Sequence, residues 1–131
     1  MKRVLVTGCA GFIGSNLVEE LSKKYKLSDK LSNMYEVFGV DNHSRGVNGE
    51  ISSKYCQIFN VDIRDKKRLE GIFNAFNFDY VVHLAALARV QPSIDDPESY
   101  LDNNVNGTLN LLMMCKKYKV KKFIYASSSS A

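Results

Sequence analysis

The feature that most constrains this chain is a glycine-rich turn close to its N-terminus. An apolar, β-branched run over residues 4–6 leads into Gly8-x-x-Gly11-x-x-Gly14, and a segment with helical periodicity follows at once. A strand, a turn with this glycine spacing and a helix, in that order, are typical of a site for the pyrophosphate of a dinucleotide. The helix N-terminus favours this interpretation over a plain structural turn, because it presents N–H groups and a partial positive charge to the anion.

Each glycine has its own physical reason in this interpretation. Gly8 allows the chain to turn sharply off the strand, and Gly11 removes a side chain so that phosphates can approach the backbone. Gly14 allows the helix to pack closely on the sheet. The motif therefore predicts a dinucleotide site at the end of the first strand.

Size and composition indicate a globular protein of one domain. The sequence has 131 residues, of which 45% are hydrophobic and 24% charged, so we expect a single domain covering residues 1–131. The formal net charge of +4 is modest. Lysines cluster near predicted helix ends, where a positive charge interacts favourably with the helix dipole. We therefore expect no nucleic-acid partner.

The cysteines bear on compartment and metal binding. Cys9, Cys56 and Cys115 lack the spacing of a metal site, and a sparse, odd set favours free thiols in a reducing compartment. The first apolar run is too short for a signal peptide or a membrane span. We therefore expect no metal, no membrane association and a cytoplasmic location.

Apolar patterns of two different periods alternate along the chain. Short apolar runs predict strands, and apolar residues recurring three and four positions apart predict helices. The predicted strands cover residues 2–7, 35–41, 55–61, 78–85 and 122–126, and the predicted helices cover residues 12–25, 65–76 and 98–118. The alternation predicts an α/β fold, a Rossmann-type doubly wound parallel sheet of about five strands with three αβα layers, truncated before a sixth strand.

Periodicity also predicts loops and buried faces. We interpret residues 26–34 as a surface loop, residues 42–53 as a mobile loop over the ligand, and residues 92–97 as a turn-rich connection. The first helix is expected to bury Phe12, Ile13, Leu17, Val18 and Leu21. The second, with Asp65 as its N-cap, is expected to bury Leu69, Ile72, Phe73 and Phe76. The third is expected to bury a stripe of Val105, Leu109, Leu112 and Met113, ending in Lys116.

Polar and small residues follow the strands at the edge where parallel α/β sheets bind ligands. Asp41 ends the second strand, where a carboxylate accepts hydrogen bonds from the adenosine ribose and repels a 2′-phosphate. This favours NAD over NADP, although Arg45 lies nearby in the sequence. Asp62 ends the third strand, and Ala85 and Ala86 after the fourth leave room for the nicotinamide half of the cofactor.

Three features near this edge have competing interpretations. His83 lies within an apolar strand, and we interpret it as a satisfied core residue rather than a catalytic one. Residues 103–108 interrupt the apolar pattern of the last helix, which points to a site or, alternatively, to a solvent-facing stretch. The serine run over residues 127–130 offers hydroxyls to a substrate oxygen, or forms a flexible tail.

Taken together, these motifs resemble the extended short-chain dehydrogenase/reductase family, and within it the nucleotide-sugar 4-epimerases. The matching stretches are TGCAGFIGSNL at 7–17, VDN at 40–42 with Ser44, VDIRD at 61–65, HLAA at 83–86, residues 97–112 and FIYASSSS at 123–130. The match covers nearly the whole chain, and the motifs are more specific to the family than to one sugar. UDP-glucose, UDP-N-acetylglucosamine and UDP-glucuronate epimerases share most of them, as do some dehydratases.

The resemblance implies NAD as the cofactor and a role for each matching residue. Backbone N–H groups of Phe12 and Ile13 would meet the pyrophosphate, Asp41 and Asn42 the ribose, and Asp62 with Ile63 the adenine. The implied cofactor-binding residues are Gly8, Gly11, Phe12, Ile13, Gly14, Asp41, Asn42, Ser44, Asp62, Ile63, Leu84, Ala85, Ala86 and Asn103. Ser128 and Ser130 match hydroxyls that contact the sugar and assist proton transfer, so they are the candidate catalytic residues, and Ser128 also the candidate substrate-binding residue.

The chain also departs from the family pattern. Ala88 stands where some members carry a lysine that contacts the cofactor. In such enzymes a tyrosine takes the proton of the sugar C4 hydroxyl while hydride passes to NAD, and a lysine four residues later lowers the tyrosine pKa. That pair lies beyond the serine run in the family, as does the substrate domain. Tyr118 and Lys122 match the spacing but straddle a helix end and a strand start, so we interpret them as a coincidence.

The resemblance favours the N-terminal, NAD-binding part of a nucleotide-sugar 4-epimerase that oxidises C4 transiently and returns the hydride, with a UDP-sugar as substrate. A nucleotide-sugar 4,6-dehydratase or reductase on the same fold is one alternative. A non-catalytic dinucleotide-binding or sensing protein, or an inactive fragment, is another. The chain alone is expected to be inactive. Family members often dimerise through the helices after the third and fourth strands, which implies a possible homodimer of the full-length protein.

Overall fold

A parallel sheet forms the centre of the molecule. The computed structural model describes residues 1–27, 35–44 and 48–128. Its strands are β1 (Lys2–Thr7), β2 (Tyr35–Asp41), β3 (Gln57–Asn60), β4 (Tyr80–His83) and β5 (Lys122–Tyr125). They lie in the order β3-β2-β1-β4-β5, and each neighbouring pair is parallel. The predicted parallel sheet is confirmed.

Helices cover both faces of this sheet. They are α1 (Phe12–Leu27), α2 (Gly49–Ser52), α3 (Lys66–Phe76), α4 (Val90–Asp95), α5 (Pro97–Leu101) and α6 (Gly107–Lys117), with a π-helical turn at Asp102–Asn106 between the last two. Successive side chains of a strand point to opposite faces. In β1, Val4 therefore packs in the cluster that contains Val18 of α1, whereas Leu5 packs with Leu69 of α3 and Leu111 of α6. The result is the predicted three-layer αβα arrangement.

Helix α3 forms as its sequence predicts. The carboxylate of Asp65 accepts a hydrogen bond from the N–H of Arg68 at 3.1 Å and so caps the helix. Its inner face buries Leu69, Ile72 and Phe73 as expected, and Phe76 packs against the same core.

Several predicted boundaries were wrong. Strand β4 ends at His83 rather than at residue 85, because the N–H of Ala85 bonds to the Thr7 hydroxyl instead of a strand, while the N–H of Leu84 is shared between the hydroxyl and the carbonyl of Thr7. Strand β3 begins at Gln57 rather than at residue 55, because the chain before it still turns helically on the carbonyl of Ser52. Helices α2 and α4 occupy parts of the two segments predicted to be irregular.

The part of the predicted 42–53 loop that the structure describes includes a docked element. The Ser52 hydroxyl donates to the carbonyl of Cys9 at 2.7 Å, and the N–H of Asn48 donates to the carbonyl of Ala10 at 3.0 Å. Helix α2 is thereby fastened to the glycine-rich turn. Residues 45–47, including Arg45, and residues 28–34 of the predicted surface loop lie outside the described residues.

The predicted helix over residues 98–118 was wrong in continuity and in its buried face. It consists of α5, the π-helical turn and α6. The predicted stripe is exposed, with 54% of Val105 and 51% of Leu109 accessible, whereas α6 buries Gly107, Leu111, Met114 and Cys115. Both sets of residues have helical spacing and apolar members, so periodicity alone could not choose between them.

The first turn of α1 was also predicted wrongly. Phe12 and Ile13 are 81% and 66% exposed, while Val18 is buried and Leu17 and Leu21 pack against it. The reason is that this turn stands over the glycine-rich segment and not over the sheet, as the close approach of Gly14 to Gly8 shows.

Three further observations bear on the sequence predictions. Among residues 1–27, 35–44 and 48–128, no helix combines the length and the apolar composition that crossing a membrane requires. Cys9, Cys56 and Cys115 are free thiols, as predicted. Within the described ranges, no three His, Cys, Asp or Glu side chains gather in a way that would hold a metal ion.

Candidate functional site

A cleft opens at the carboxyl ends of the strands. The chain proceeds from β1 towards one edge of the sheet and then from β4 towards the other, so the order of the strands reverses between β1 and β4. Ligands of open α/β sheets bind at such a point. The cleft is lined by Gly8, Gly11, Val40, Asp41, Asn42, Ser44, Val61, Ile63, Leu84, Ala85, Ala86, Leu87 and Asn103.

Most of the predicted cofactor-binding residues line this cleft, and their contact with a cofactor stays a prediction. Phe12, Ile13, Gly14 and Asp62 are not part of the lining. Sequence reasoning missed Val40, Val61 and Leu87. These three residues are apolar and looked like core, and their positions at or just after strand ends were the signal that could have found them.

The glycine-rich turn is tightly built at two of its three glycines. Gly8 has φ +71°, and a side chain on it would place Cβ 2.8 Å from the backbone nitrogen of Ala85. A Cβ on Gly14 would lie 2.0 Å from the carbonyl oxygen of Gly8. Gly11 differs, because the nearest atom to its Cβ would be 3.3 Å away and the residue faces the cleft. The fold itself requires Gly8 and Gly14, whereas the absence of a side chain at Gly11 leaves space open in the cleft.

Backbone donors stand at the N-terminus of α1. The N–H of Ser15 donates to the carbonyl of Gly11 at 2.9 Å, which closes the first turn of the helix. The N–H groups of the preceding residues have no acceptor within the helix, as in any α-helix. They belong to Phe12, Ile13 and Gly14, in a position suited to an anion.

Asp41 joins the end of β2 to the glycine-rich turn. One carboxylate oxygen accepts from the N–H of Ala10 at 2.9 Å and the other from the N–H of His43 at 2.7 Å. The side chain is buried yet lines the cleft. Each carboxylate oxygen has capacity for a further hydrogen bond, so the pair can accept from two vicinal hydroxyl groups.

Asp62 is held in a charged network beside the cleft. The guanidinium of Arg64 contacts both of its carboxylate oxygens, at 3.0 and 2.8 Å, and Asn42 donates to it at 3.0 Å. These bonds, with Arg64 first, hold the pKa of Asp62 well below its usual range. Arg64 also lies 3.6 Å from the carboxylate of Asp102. Asp62 therefore orders the loop that carries Ile63 into the cleft.

The opposite wall is made of uncharged groups. Asn103 lies in the π-helical turn, is buried, and donates from its amide to the side-chain oxygen of Asn104 at 3.1 Å. Single π-helical turns occur frequently at functional sites, and here Asn103, the first residue of the interruption at residues 103–108, lines the cleft. His83 is 2% exposed, and burial lowers its pKa to about 4. Its interpretation as a satisfied core residue is confirmed.

The remaining predicted residues lie after the last strand and helix. Ser128 is exposed beyond β5, outside the lining of the cleft, and Ser130 lies outside the described residues. Tyr118 follows α6 and packs its ring against Phe73, while Lys122 begins β5. Tyr118 and Lys122 therefore do not share a helix face, as predicted.

The geometry suits an extended, polyanionic ligand with a ribose. A backbone cradle for phosphate lies next to a carboxylate that can bind a diol, and small side chains form the far wall. The volume of the cleft is about 140 Å³, which is below the several hundred Å³ of a typical ligand pocket. The described residues thus form a shallow, open cleft that suits such a ligand.

Comparison with known proteins agrees with this geometry. The sequence profile of the NAD dependent epimerase/dehydratase family matches residues 4–131. A UDP-glucose 4-epimerase of Caenorhabditis elegans is 38% identical over 132 residues, which is 97% of this chain and 38% of that protein. A UDP-glucuronate 4-epimerase of Thermodesulfobacterium geofontis is 38% identical over 126 residues, covering 96% of this chain and 39% of that protein.

Solved structures show the same likeness. A Thermotoga maritima UDP-glucose 4-epimerase with UDP-glucose superimposes with a TM-score of 0.85 and 39% identity, over 98% of this chain and 38% of that one. A Thermus thermophilus UDP-glucose 4-epimerase in complex with NAD superimposes with a TM-score of 0.83 and 42% identity, over 96% of this chain and 37% of that one. The chain thus spans less than two fifths of the length of these relatives. Because the family profile covers almost every residue from β1 to the serine run, this chain belongs to the NAD dependent epimerase/dehydratase family.

Proposed function

We propose that the cleft binds NAD and that the chain is the N-terminal, cofactor-binding part of a nucleotide-sugar 4-epimerase. The observation that carries this proposal is the placement of Asp41 against the glycine-rich turn, on the strand next to β1. A phosphate cradle and a ribose-binding carboxylate fit one nucleotide, and the cleft continues to the residues after β4, where a second nucleotide can lie. The complexes named for the structural relatives, one of which contains NAD, support it.

The residues of the cleft divide along the proposed ligand. The N–H groups of Phe12 and Ile13 bind the pyrophosphate over Gly11, and Asp41 binds the adenosine ribose with Asn42 and Ser44 beside it. Adenine lies against Ile63, next to Asp62. The nicotinamide half lies against Leu84, Ala85, Ala86 and Asn103. When bound, NAD supplies an acceptor for hydride from sugar C4 and a donor that returns it.

Gly11 provides the sharpest test of NAD binding. The substitution Gly11→Ala adds a methyl group that the fold accommodates with a small adjustment, but that occupies the approach of the phosphates. We expect calorimetric titration to show NAD binding to the parent chain and at least about tenfold weaker binding to the variant. Gly71→Ala is the matched control, since no atom lies within 4 Å of its new Cβ. Equal NAD affinity in the parent chain and the Gly11 variant would contradict the proposal.

The sugar chemistry of the longer protein is a further part of the proposal. Ser128 and Ser130 follow β5, the strand next to β4, and their hydroxyls contact the sugar and assist transfer of its C4 proton. A relative from Dictyostelium discoideum named dTDP-D-glucose 4,6-dehydratase is 39% identical over 98% of this chain. The cofactor-binding part is thus shared among these activities, so the assay includes both UDP-glucose and dTDP-glucose.

We also propose that these 131 residues do not turn over a nucleotide sugar by themselves. Tyr118 and Lys122 are the only tyrosine and lysine with the family spacing in the sequence, and they lie at the end of α6 and the start of β5. Incubation of the chain with NAD and UDP-glucose is expected to produce no 4-epimer on chromatography. Production of UDP-galactose above the level of a Tyr118→Phe control would contradict this expectation.

An exposed apolar face supports the proposed homodimer. Leu101 on α5, Val105 in the π-helical turn, and Leu109 and Leu112 on α6 are 44–60% exposed. Exposed apolar patches of this kind mark interaction surfaces. We expect the full-length protein to sediment as a dimer, and the double variant Leu109→Lys, Leu112→Lys to sediment as a monomer.

The free thiols support the proposed cytoplasmic location, where cysteines stay reduced.

A further inference from the structure

We propose that His83 is a positioning residue which, as a neutral imidazole protonated on Nε2, connects the two segments that form the nicotinamide side of the cleft. The connection is a directed chain of hydrogen bonds that runs from Thr7 through His83 and Thr108 to Asn104. The assignment of this side of the cleft to nicotinamide rests on the proposed function. The direction of the chain rests on the geometry alone.

The direction is set at Thr7. Its Oγ1 lies 3.1 Å from the backbone nitrogen of Leu84 and 3.1 Å from that of Ala85, and both of these groups can only donate. The N–H of Leu84 is shared with the carbonyl oxygen of Thr7, which is slightly farther away at 3.2 Å. The hydroxyl oxygen therefore accepts twice, which uses both of its lone pairs. Its own proton must then point to His83 Nδ1, which is 2.6 Å away. Nδ1 accepts and carries no proton.

The rest of the chain follows from this first bond. A neutral imidazole without a proton on Nδ1 carries it on Nε2, which donates to Thr108 Oγ1 at 2.8 Å. The Thr108 hydroxyl donates in turn to the carbonyl oxygen of Asn104 at 2.6 Å. A second proton on the imidazole would leave two donors facing each other at Thr7. Burial acts in the same direction, because it lowers the pKa of His83.

The chain holds residues 84–87 from both ends. Thr7 binds the N–H groups at the start of this segment, and Asn104 binds Leu87 at its end through two side-chain bonds of 2.8 and 2.9 Å. His83 and Thr108 connect these two anchors across the sheet and the π-helical turn. A small cavity of about 90 Å³, lined by His83, Ala86, Asn104 and Thr108 among others, lies directly beside the connection. A shift in any link therefore moves the wall against which the ligand lies.

Nitrogen-15 NMR of the chain tests the protonation state directly. The sequence has two histidines, so a His43→Gln variant assigns both signals. We expect long-range ¹H–¹⁵N correlations of His83 to show the Nε2–H tautomer at pH 7, and its shifts to stay constant from pH 8 down to pH 5. The Nδ1–H tautomer, or a charged ring at pH 7, would overturn the proposal.

Thr108 tests the positioning role. Thr108→Val keeps the shape of the side chain but removes the hydroxyl, and Thr108→Ser restores it. For the valine variant we expect amide hydrogen exchange at Leu84, Ala85 and Leu87 about tenfold faster than in the parent chain, and NAD binding about tenfold weaker. The serine variant is expected to recover both values.

The outcomes separate this inference from the proposed function. If the valine variant only unfolds more easily, with exchange at residues 84–87 raised no more than elsewhere, the role is structural and the inference fails. If the parent chain binds no NAD, the proposed function fails, while the exchange comparison and the tautomer still decide whether the connection exists. If the valine variant does not fold, the tautomer of His83 and its pH profile in the parent chain decide whether the connection exists.

Discussion

The two walls of the cleft are built in different ways. The first wall comprises the ends of β1, β2 and β3, and there backbone atoms pack against glycines while Asp41 and Asp62 are held by N–H groups and by Arg64. The second wall comprises residues 84–87 and the π-helical turn, and its lining residues are uncharged. Direct contacts and charges hold the first wall, and a chain of neutral hydrogen bonds holds the second.

This difference shows which part of a binding cleft a short sequence motif can predict. The first wall contains two features that are each recognisable within one short segment, the glycine spacing and the carboxylate of Asp41 at the end of a strand, so both pointed to it directly. The second depends on Thr7, His83, Asn104 and Thr108, which are up to 101 positions apart, and no short motif contains them. Perturbing each wall separately therefore tests whether the two are independent.

The largest effect is expected for Gly14→Ala in the first wall. The new Cβ would lie 2.0 Å from the carbonyl oxygen of Gly8, and two backbone segments would have to separate. We expect the free energy of unfolding to fall by about 3 kcal/mol or more, measured by urea denaturation. Gly71→Ala in α3, with nothing within 4 Å, is expected to raise it by about 0.5–1 kcal/mol. Similar losses in both variants would show that the close approach at Gly14 does not matter.

A slightly smaller effect is expected beneath the second wall. Leu111 and Leu112 are neighbours in α6, but Leu111 is fully buried and Leu112 is 44% exposed. Leu111→Ala is expected to lower the free energy of unfolding by about 3 kcal/mol, because it leaves a cavity. Leu112→Ala should change it by less than about 1 kcal/mol. The reverse order would mean that the originally predicted stripe is the buried one.

Acidification should weaken the second wall before the first. The pKa of His83 is lowered from 6.5 to about 4 in the folded chain, so the unfolded chain binds more protons between these values. Stability from this group is therefore complete above pH 6.5 and declines as the pH falls towards 4, by about 2–3 kcal/mol. Asp62, whose pKa is lowered from 3.8, loses its contribution only below that range.

Two histidine variants isolate this dependence. Denaturation of a His83→Asn variant between pH 7 and pH 4 should lack most of the decline, whereas His43→Asn should keep it. A decline of the same size in both variants would assign it to other groups.

The smallest effect is expected for Asp41→Asn. The amide can accept only one of the two hydrogen bonds from the N–H groups of Ala10 and His43, and it lacks the negative charge. We expect NAD to bind about tenfold more weakly and the preference for NAD over NADP to shrink. Asp95→Asn, at an exposed position in α4, is the control. Unchanged selectivity between the two cofactors would remove Asp41 from the ribose site.

Much of the fold could be predicted from the sequence because its signals are local. The alternation of strands and helices, the cap at Asp65 and the three layers all followed from spacing within short segments. The face of α6 could not be predicted, because two apolar stripes with the same period share that helix. Phe12 and Ile13 were misplaced for a related reason, since periodicity does not tell where a helix passes beyond the edge of its sheet.

The fold class, the family and the cofactor for which the family is named could all be identified from the sequence. These follow from steric rules over a few residues, such as the lack of room for a Cβ at Gly14, which would lie 2.0 Å from the carbonyl oxygen of Gly8. The tertiary structure was needed to show how residues 84–87 of the second wall are held, because the bonds from Thr7 and Asn104 join distant parts of the chain. The protonation of His83 depends on two backbone N–H groups, both directed at Thr7, and that arrangement exists only once β4 lies beside β1.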